Sequence, residues 1–145
     1  MRELPPEIIA FLQEHHVLVL ATSIDDIPYT ASVFYVFDPE GGDLIFLSDR
    51  ATRHGYESLV NDRVAAAIHV ETREVSEIKG AQITGVVGEL DETESDYERL
   101  REMYLDAFPV ARGRETTFWR LRAGYIKMTD NSIRFGHKQI WERGD

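Results

Sequence analysis

The sequence predicts a mainly β fold, a barrel with short helices attached to it. Six or more segments rich in apolar, β-branched and aromatic residues are typical of strands, and several are separated by turns rich in Gly, Pro, Asp or Asn. Segments with helical spacing are few and short. With 145 residues, 43% of them apolar, the chain is long enough for one domain, residues 1–145, with a sizeable core.

Three segments have the spacing of amphipathic helices. The first spans residues 7–15 and follows two prolines, which suit a first helical turn. The second spans residues 55–62, and the third begins near a capping sequence at 93–96 and ends at Pro109. Their apolar faces are, in order, Ile8, Phe11 and Leu12; Tyr56, Leu59 and Val60; and Tyr97, Leu100, Tyr104 and Phe108.

The strand predictions follow the β-branched and aromatic runs. They cover residues 17–22, 29–37, 44–47, 64–70, 78–90, 117–122, 125–129 and 133–135. Gly80, Gly85 and Gly88 lie inside one of them, which predicts bulges or a close backbone approach. The side chains of residues 64–70 are unusually small, so a helix, a second subunit or a flat ligand can come close to this strand.

Composition excludes several classes of function. The net charge of −10 argues against nucleic acid as a general partner, because phosphate backbones are bound by broad basic surfaces. The chain has no cysteine, so disulfides, thiol nucleophiles and Cys-ligated metals are excluded. The N-terminus lacks the pattern of a signal peptide, and no apolar run approaches membrane length. We therefore expect a cytoplasmic protein with no membrane partner.

A group of polar residues lies where one predicted strand ends and a predicted helix begins. It combines two hydroxyls with three basic side chains: Ser48, Arg50, Thr52, Arg53 and His54. Free backbone N–H groups and the helix dipole favour an anion at such a position, and a guanidinium adds bidentate hydrogen bonds to phosphate. The alternative is a helix cap at Thr52 with solvated basic side chains.

Other polar groups favour structural roles. No serine lies in the glycine pattern of a nucleophile elbow, so we assign no catalytic residue. His15 and His16 suit a helix end and His69 a core or interface position, rather than a metal site. The amide of Gln82, on a predicted strand, can both donate and accept. It can therefore read the edge of a heteroaromatic ring, face solvent or pair across strands.

Taken together, these segments resemble the pyridoxamine 5′-phosphate oxidase-like family, the FMN-binding split β-barrels, and within it the small YhbP-type proteins of unassigned function. The similarity follows the order of the chain through the N-terminal helix and residues 31–38, 52–54, 79–82, 108–112 and 135–141. It implies a six-stranded antiparallel split β-barrel with peripheral helices. It also implies a homodimer that holds FMN at the dimer interface.

The resemblance also implies which residues hold the flavin. In the oxidases one strand runs along the cofactor, the end of the next strand contacts it, a Ser-Arg-Lys sequence grips its phosphate, and a Gln contacts the ring. The matching cofactor-binding positions here are Thr30, Ser32, Val33, Phe34, Leu47, Ser48, Thr52, Arg53, His54 and Gln82. Tyr35 matches a substrate-binding lysine. Because Thr30, Tyr35 and His54 replace Arg, Lys and Lys of the oxidases, pyridoxamine phosphate oxidation is not expected.

We therefore expect an FMN-binding homodimer that acts as an oxidoreductase on a small molecule. Large aromatic residues are expected at the subunit interface: Tyr29, Tyr35, Trp119 and Trp141. Two alternatives remain. The barrel could bind deazaflavin or haem, with His54 or His69 as the iron ligand, or it could be a non-enzymatic dimer whose cofactor site has decayed.

Overall fold

The computed structural model describes residues 1–114 and 116–145, which form three α-helices and seven β-strands. In chain order these are α1 (Pro6–Glu14), β1 (Val17–Ile24), β2 (Ile27–Asp38), β3 (Asp43–Ser48), α2 (Arg53–Val60), β4 (Arg63–His69), β5 (Lys79–Glu89), α3 (Tyr97–Ala107), β6 (Thr117–Asp130) and β7 (Lys138–Glu142). Single 3₁₀ turns occur at Val75–Glu77 and Pro109–Ala111.

The strands form one closed barrel. Their order is β3-β2-β1-β4-β5-β6-β7, every neighbouring pair is antiparallel, and β3 also pairs with β6. That last pairing closes six strands on themselves and leaves β7 outside, along β6. The predicted six-stranded antiparallel barrel with peripheral helices is therefore confirmed. Closure matters for stability because it removes the unpaired edges of the six barrel strands.

The barrel interior is filled by alternate residues of each strand, as the two-residue period of a strand requires. Helix α1 covers one end, where Ile8, Phe11 and Leu12 are buried. The Tyr35 hydroxyl donates to the Leu12 carbonyl oxygen at 2.7 Å, which fixes that helix to β2. A second apolar cluster lies outside the barrel, between α3 and the outer side of β3 and β6; its buried members are Ile45, Leu90, Leu100, Tyr104, Leu105 and Phe118.

The expectation that large aromatic residues lie at a subunit interface is wrong for three of the four. Tyr35, Trp119 and Trp141 are 1%, 1% and 4% exposed within a single chain. Trp119 also donates from Nε1 to the Ser48 carbonyl oxygen at 3.0 Å. These side chains fill the core of this chain, because the barrel of a small domain needs large residues to occupy its interior.

The strand predictions need two corrections at the C-terminal end. Residues 117–122 and 125–129 belong to one strand, β6, which is bulged at Gly124 because Thr84 pairs with Tyr125 whereas Gly85 pairs with Ala123. A Cβ on Gly85 would lie 2.1 Å from the Arg122 carbonyl oxygen, so the bulge needs glycine there. Residues 133–135 form no strand. They lie in turns where Asp130 and Asn131 accept from the backbone N–H groups of Ser132 and Gly136.

The apolar face predicted for the second helix is turned away from the barrel. Tyr56, Leu59 and Val60 are 58%, 50% and 55% exposed, whereas Glu57 and Ser58 are buried. The inward side is polar because the Glu57 carboxylate accepts a hydrogen bond from the Thr22 hydroxyl at 2.9 Å, at the end of β1. Helix α2 therefore presents an apolar surface to the outside of the chain.

Candidate functional site

The candidate site begins where β3 ends and α2 starts. Thr52 caps the helix, and its hydroxyl oxygen accepts from the Gly55 N–H at 3.1 Å, which is the capping role that the sequence left as an alternative. The loop before it is held by Asp49, which accepts from the Ala51 N–H and the Thr52 hydroxyl at 2.7 Å each. The N–H groups of the first helical turn have no acceptor within the helix, and the helix dipole is positive at this end. The same turn therefore holds a capping side chain and N–H groups that can attract an anion.

Ser48 and His54 form a direct contact across this loop. The Ser48 Oγ lies 2.7 Å from His54 Nε2 and 3.5 Å from Thr52 Oγ1, and Ser48 is 8% exposed. Burial lowers the pKa of His54, because the imidazolium form loses hydration that the neutral ring does not need. His54 is therefore neutral at neutral pH, and it gains charge only at a more acidic pH than an ordinary histidine.

Arg53 is held from two sides. Its Nε donates to Glu57 Oε2 at 2.8 Å, one turn further along the helix, and its guanidinium lies 4.0 Å from the centre of the Tyr29 ring. The hydrogen bond from Arg53, followed by that from Thr22, lowers the pKa of Glu57. The Arg53 side chain remains 52% exposed, and within the described residues its two terminal nitrogens make no hydrogen bond. It is an oriented cation with free donors.

Beside this polar cluster lies an open apolar cavity of about 430 Å³. It is lined by four of the predicted flavin contacts together with two residues that sequence analysis missed: Ser32, Val33, Phe34 and Leu47, with Val17 and Tyr104. Leu47 directly precedes Ser48, so the cavity and the polar cluster adjoin at the end of β3. Thr30 is exposed on β2, next to the Tyr29 ring that supports Arg53.

Strand register places Gln82 on the same outer face as Ser32. Across four adjacent strands the paired residues are Ser32, Val19, Ala67 and Gln82. Three strand spacings separate Ser32 from Gln82, at most about 14 Å. Gln82 is exposed and lines a different cavity of the same face. Within one chain the structure does not bring Gln82 to the polar cluster.

The outer face between Ser32 and Gln82 is built from small side chains. Val19, Ala21, Ala65 and Ala67 are each half-buried and occupy two adjacent rows of β1 and β4. The small residues predicted on the fourth strand are therefore divided: Ala66 packs into the core, while Ala65 and Ala67 face out. Side chains this small permit close approach of another sheet or of a planar ring.

Two other predicted residues have different surroundings. Tyr35 is buried with its hydroxyl committed to Leu12, although its backbone lies near the cavity beside α1. His69 is exposed on the outer face, where Nδ1 lies 3.4 Å from the Val70 carbonyl oxygen. Sequence analysis missed Glu57 as the orienting partner of Arg53, which the spacing of four residues on a helix could have indicated.

None of the helices formed by the described residues is long and apolar enough to cross a membrane. No family model matches the chain. It is 38% identical over 133 residues to a UPF0306 protein of Photorhabdus laumondii, a match that covers 92% of each chain. It is also 35% identical over 133 residues to the UPF0306 protein YhbP of Salmonella paratyphi A, covering 92% of this chain and 89% of that protein.

Several solved structures share the fold. A candidate pyridoxamine 5′-phosphate oxidase from Listeria innocua matches with a TM-score of 0.66 at 21% identity, over 84% of this chain and 94% of that one. A FAD-binding protein from Mesorhizobium loti matches with a TM-score of 0.67 at 16% identity, over 86% of this chain and 94% of that one. The haem storage protein HutZ from Vibrio cholerae matches with a TM-score of 0.67 at 20% identity, over 84% of this chain and 91% of that one.

At these identities the likeness to solved structures establishes the split-barrel fold, whose members here include flavin-related and haem proteins. The curated relatives are close enough to establish more, because identity exceeds one third along nearly the whole chain. The resemblance to the YhbP-type proteins is therefore confirmed, and the chain belongs to the UPF0306 family.

Proposed function

We propose that this protein binds FMN at the interface of a homodimer and acts as a flavin-dependent oxidoreductase on a small molecule. The observation that carries the proposal is the adjacency of a cationic helix start to an apolar cavity on the outer face of the barrel. The cationic helix start attracts an anion, and the apolar cavity can accept a planar ring. FMN contains both parts in one molecule, and when bound it supplies hydride or electron transfer at its ring system.

The polar cluster fits a phosphate group. Arg53 offers two terminal nitrogens in a fixed orientation, and first-turn N–H groups of α2 add further donors, while Thr52, whose hydroxyl is committed to Asp49 and Gly55, holds that turn in place. His54 would donate a hydrogen bond as a neutral ring, and would add charge when protonated. These residues bind and orient, and none of them is placed to move a proton on a substrate.

The cavity fits the edge of a planar ring. Val17, Phe34 and Leu47 line it with apolar surface, and Ser32 adds a hydroxyl on the outer face. The Phe34 ring lies 5.3 Å from the Phe108 ring, which supports one side of the cavity. Thr30 and the backbone of β2 extend this surface toward Arg53. Tyr35 has no part in the proposed site, because its hydroxyl is buried.

A second copy of the chain would complete the site. The outer sheet face has small residues at its centre, and α2 exposes Tyr56, Leu59 and Val60, so two surfaces suited to protein contact flank the cluster. If two copies pair through these faces around a two-fold axis, the amide that contacts the ring would come from Gln82 of the second copy. Gln82 of the same chain is too far away to do so. The proposal thus explains why Gln82 is exposed and remote from Arg53 within one chain.

The test is direct binding of two ligands that differ by the phosphate. FMN should bind more tightly than riboflavin in calorimetry or flavin-fluorescence quenching, and the purified protein should be yellow. Equal affinity for the two ligands would remove the phosphate site from the proposal.

Haem is the second candidate, favoured by the exposed imidazole of His69 on the same outer face. It would give a Soret band in the absorption spectrum, lost in His69→Ala. A colourless protein that binds neither FMN nor haem would contradict both functions and support a dimer without a cofactor.

A further inference from the structure

A second cavity, polar in character, has all three lysines of the chain among its lining residues. The sequence has three lysines against thirteen arginines, and Lys79, Lys127 and Lys138 all line one cavity of about 530 Å³. His69 and Gln82 are in the same wall, and the lining contains no carboxylate. For a chain of net charge −10 this is a strong local excess of positive charge.

Strand pairing places two of these lysines on one side of the sheet. Lys127 on β6 is opposite Gln82 on β5, and Lys138 on β7 is opposite Thr129 on β6. The Lys138 Nζ donates to the Thr129 hydroxyl at 3.3 Å. The register therefore places two ammonium groups, an amide and a hydroxyl on the same outward side of three adjacent strands.

Two of these cations have no counter-charge. Lys79 lies 3.7 Å from Asp130 Oδ2, so it is partly neutralised. Lys127 and Lys138 form no ion pair with any of the described residues 1–114 and 116–145. The arginines behave differently, since many are committed to carboxylates: Arg50 to Glu89, Arg99 to Asp38 and Arg122 to Asp43.

Like charges held on one wall repel each other, and an anion between them relieves that repulsion. Lysine binds phosphate and carboxylate as a mobile point charge, and the Gln82 amide and Thr129 hydroxyl can add neutral hydrogen bonds. We propose that this lysine cavity is an anion-binding site for the phosphate or carboxylate group of a small-molecule ligand. It is distinct from the site at Arg53 and His54, which belongs to other strands and to α2.

That this ligand is the substrate of the flavin is a further step, which rests on the proposed function. Gln82 is at once a wall of the lysine cavity and the proposed ring contact. An anionic group bound to Lys127 and Lys138 would therefore place the rest of its molecule beside the ring. The substrate class that follows is a small acid or phosphate ester.

The experiment titrates the isotope-labelled protein with sodium phosphate and, separately, with sodium succinate, at constant ionic strength in an amine buffer. Amide resonances of Gly80 and Gln82 report the lysine cavity, and those of Thr52, Arg53 and His54 report the start of α2. We expect saturable shifts at Gly80 and Gln82 with at least one probe. Tighter binding of phosphate identifies a phosphate ester, and tighter binding of succinate identifies a carboxylate.

The variants Lys127→Gln and Lys138→Gln each remove one charge and keep most of the side-chain length. Each should lower the affinity for phosphate or succinate, measured from the shifts of Gly80 and Gln82, by about tenfold or more. Lys127→Arg, which keeps the charge, should retain binding. Arg63→Gln, at the far end of β4, removes the same charge and should leave the affinity unchanged. Shifts at Gly80 and Gln82 that do not saturate, or that persist unchanged in both lysine variants, would overturn the proposal.

The two proposals can fail separately. FMN that does not bind, with phosphate still saturating Gly80 and Gln82, removes the flavin function and leaves the anion site. If FMN binds normally to Lys127→Gln and Lys138→Gln but neither phosphate nor succinate saturates the Gly80 shift, the anion site is removed and the flavin function remains.

Discussion

Arg53 donates from Nε to Glu57 at 2.8 Å, and Glu57 in turn accepts from Thr22 at the end of β1. These two hydrogen bonds connect the exposed guanidinium of Arg53, through the buried Glu57, to the barrel wall. An arginine on the first turn of a short helix would otherwise sample many rotamers, and ordering it would oppose ligand binding. The structure has ordered it in advance, with its terminal nitrogens facing outward.

Arg53→Ala should weaken FMN binding by roughly 10- to 150-fold, the loss typical of a charged hydrogen bond of about 1.5–3 kcal/mol. Riboflavin, which lacks the phosphate, should lose much less affinity. Calorimetry with both ligands measures the difference, and Arg63→Ala is the matched control for loss of one positive charge. An unchanged FMN affinity would show that Arg53 serves the helix alone.

His54→Gln should change how FMN binding depends on pH. A bound phosphate favours the imidazolium and so raises the pKa of His54, which burial holds low in the free protein. Affinity of the wild type should therefore increase as pH falls below about 6.5, the ordinary histidine value. The phosphate itself takes up a proton near a pKa of about 6 in both proteins, so the difference between the two titrations is the measurement. Parallel curves would place His54 outside the phosphate site.

Glu57→Gln should flatten the acid side of the stability profile. The pKa of Glu57 in the folded chain is lowered, first by the hydrogen bond from Arg53, from an ordinary value of 4.5. Its stabilising contribution is present above that ordinary value and is lost as pH falls through the lower folded value. Melting temperatures between about pH 5 and 3 should fall more steeply in the wild type than in the variant. An equal fall would mean that other carboxylates control acid unfolding.

Ala67→Glu should convert a dimer to a monomer and abolish FMN binding together with it. Ala67 lies between Ser32 and Gln82 on the outer face, where the bulk of a glutamate side chain would keep a second sheet from approaching closely. Light scattering should give twice the 16.6 kDa chain mass for the wild type and that single mass for the variant. Val110→Glu is the control, because Val110 is 75% exposed and outside this face. A wild-type monomer that binds FMN tightly would contradict the interface model.

Local patterns were sufficient for most elements. The apolar spacing of α1 predicted that Ile8, Phe11 and Leu12 are buried, and the residues around Thr52 allowed a helix cap there, because both depend on contacts within one or two turns. Gly85 was correctly associated with a bulge, since a Cβ there would meet the backbone of the paired strand. Such features are decided by neighbours a few residues away or directly across a ladder.

The orientation of α2 shows where local patterns fail. Its apolar residues face outward because Glu57 finds Thr22 and Arg53, contacts that link positions far apart in the chain or across the helix turn. Spacing alone identifies a face but not what lies opposite it. The same limit applies to Trp119 and Trp141, whose size suited an interface as well as a core until the tertiary packing placed both in the core.

By itself the sequence determined the strand-rich barrel class and the meeting of hydroxyl and basic side chains where β3 ends and α2 begins, because chain adjacency alone brings those groups together. The tertiary structure decided which groups share a face. Ser32, Ala67 and Gln82 align only through the pairing of four strands, and Gln82, Lys127 and Lys138 meet only because β5, β6 and β7 lie side by side. Strand register is a long-range property, set by the packing of the whole barrel interior, and no local pattern specifies it.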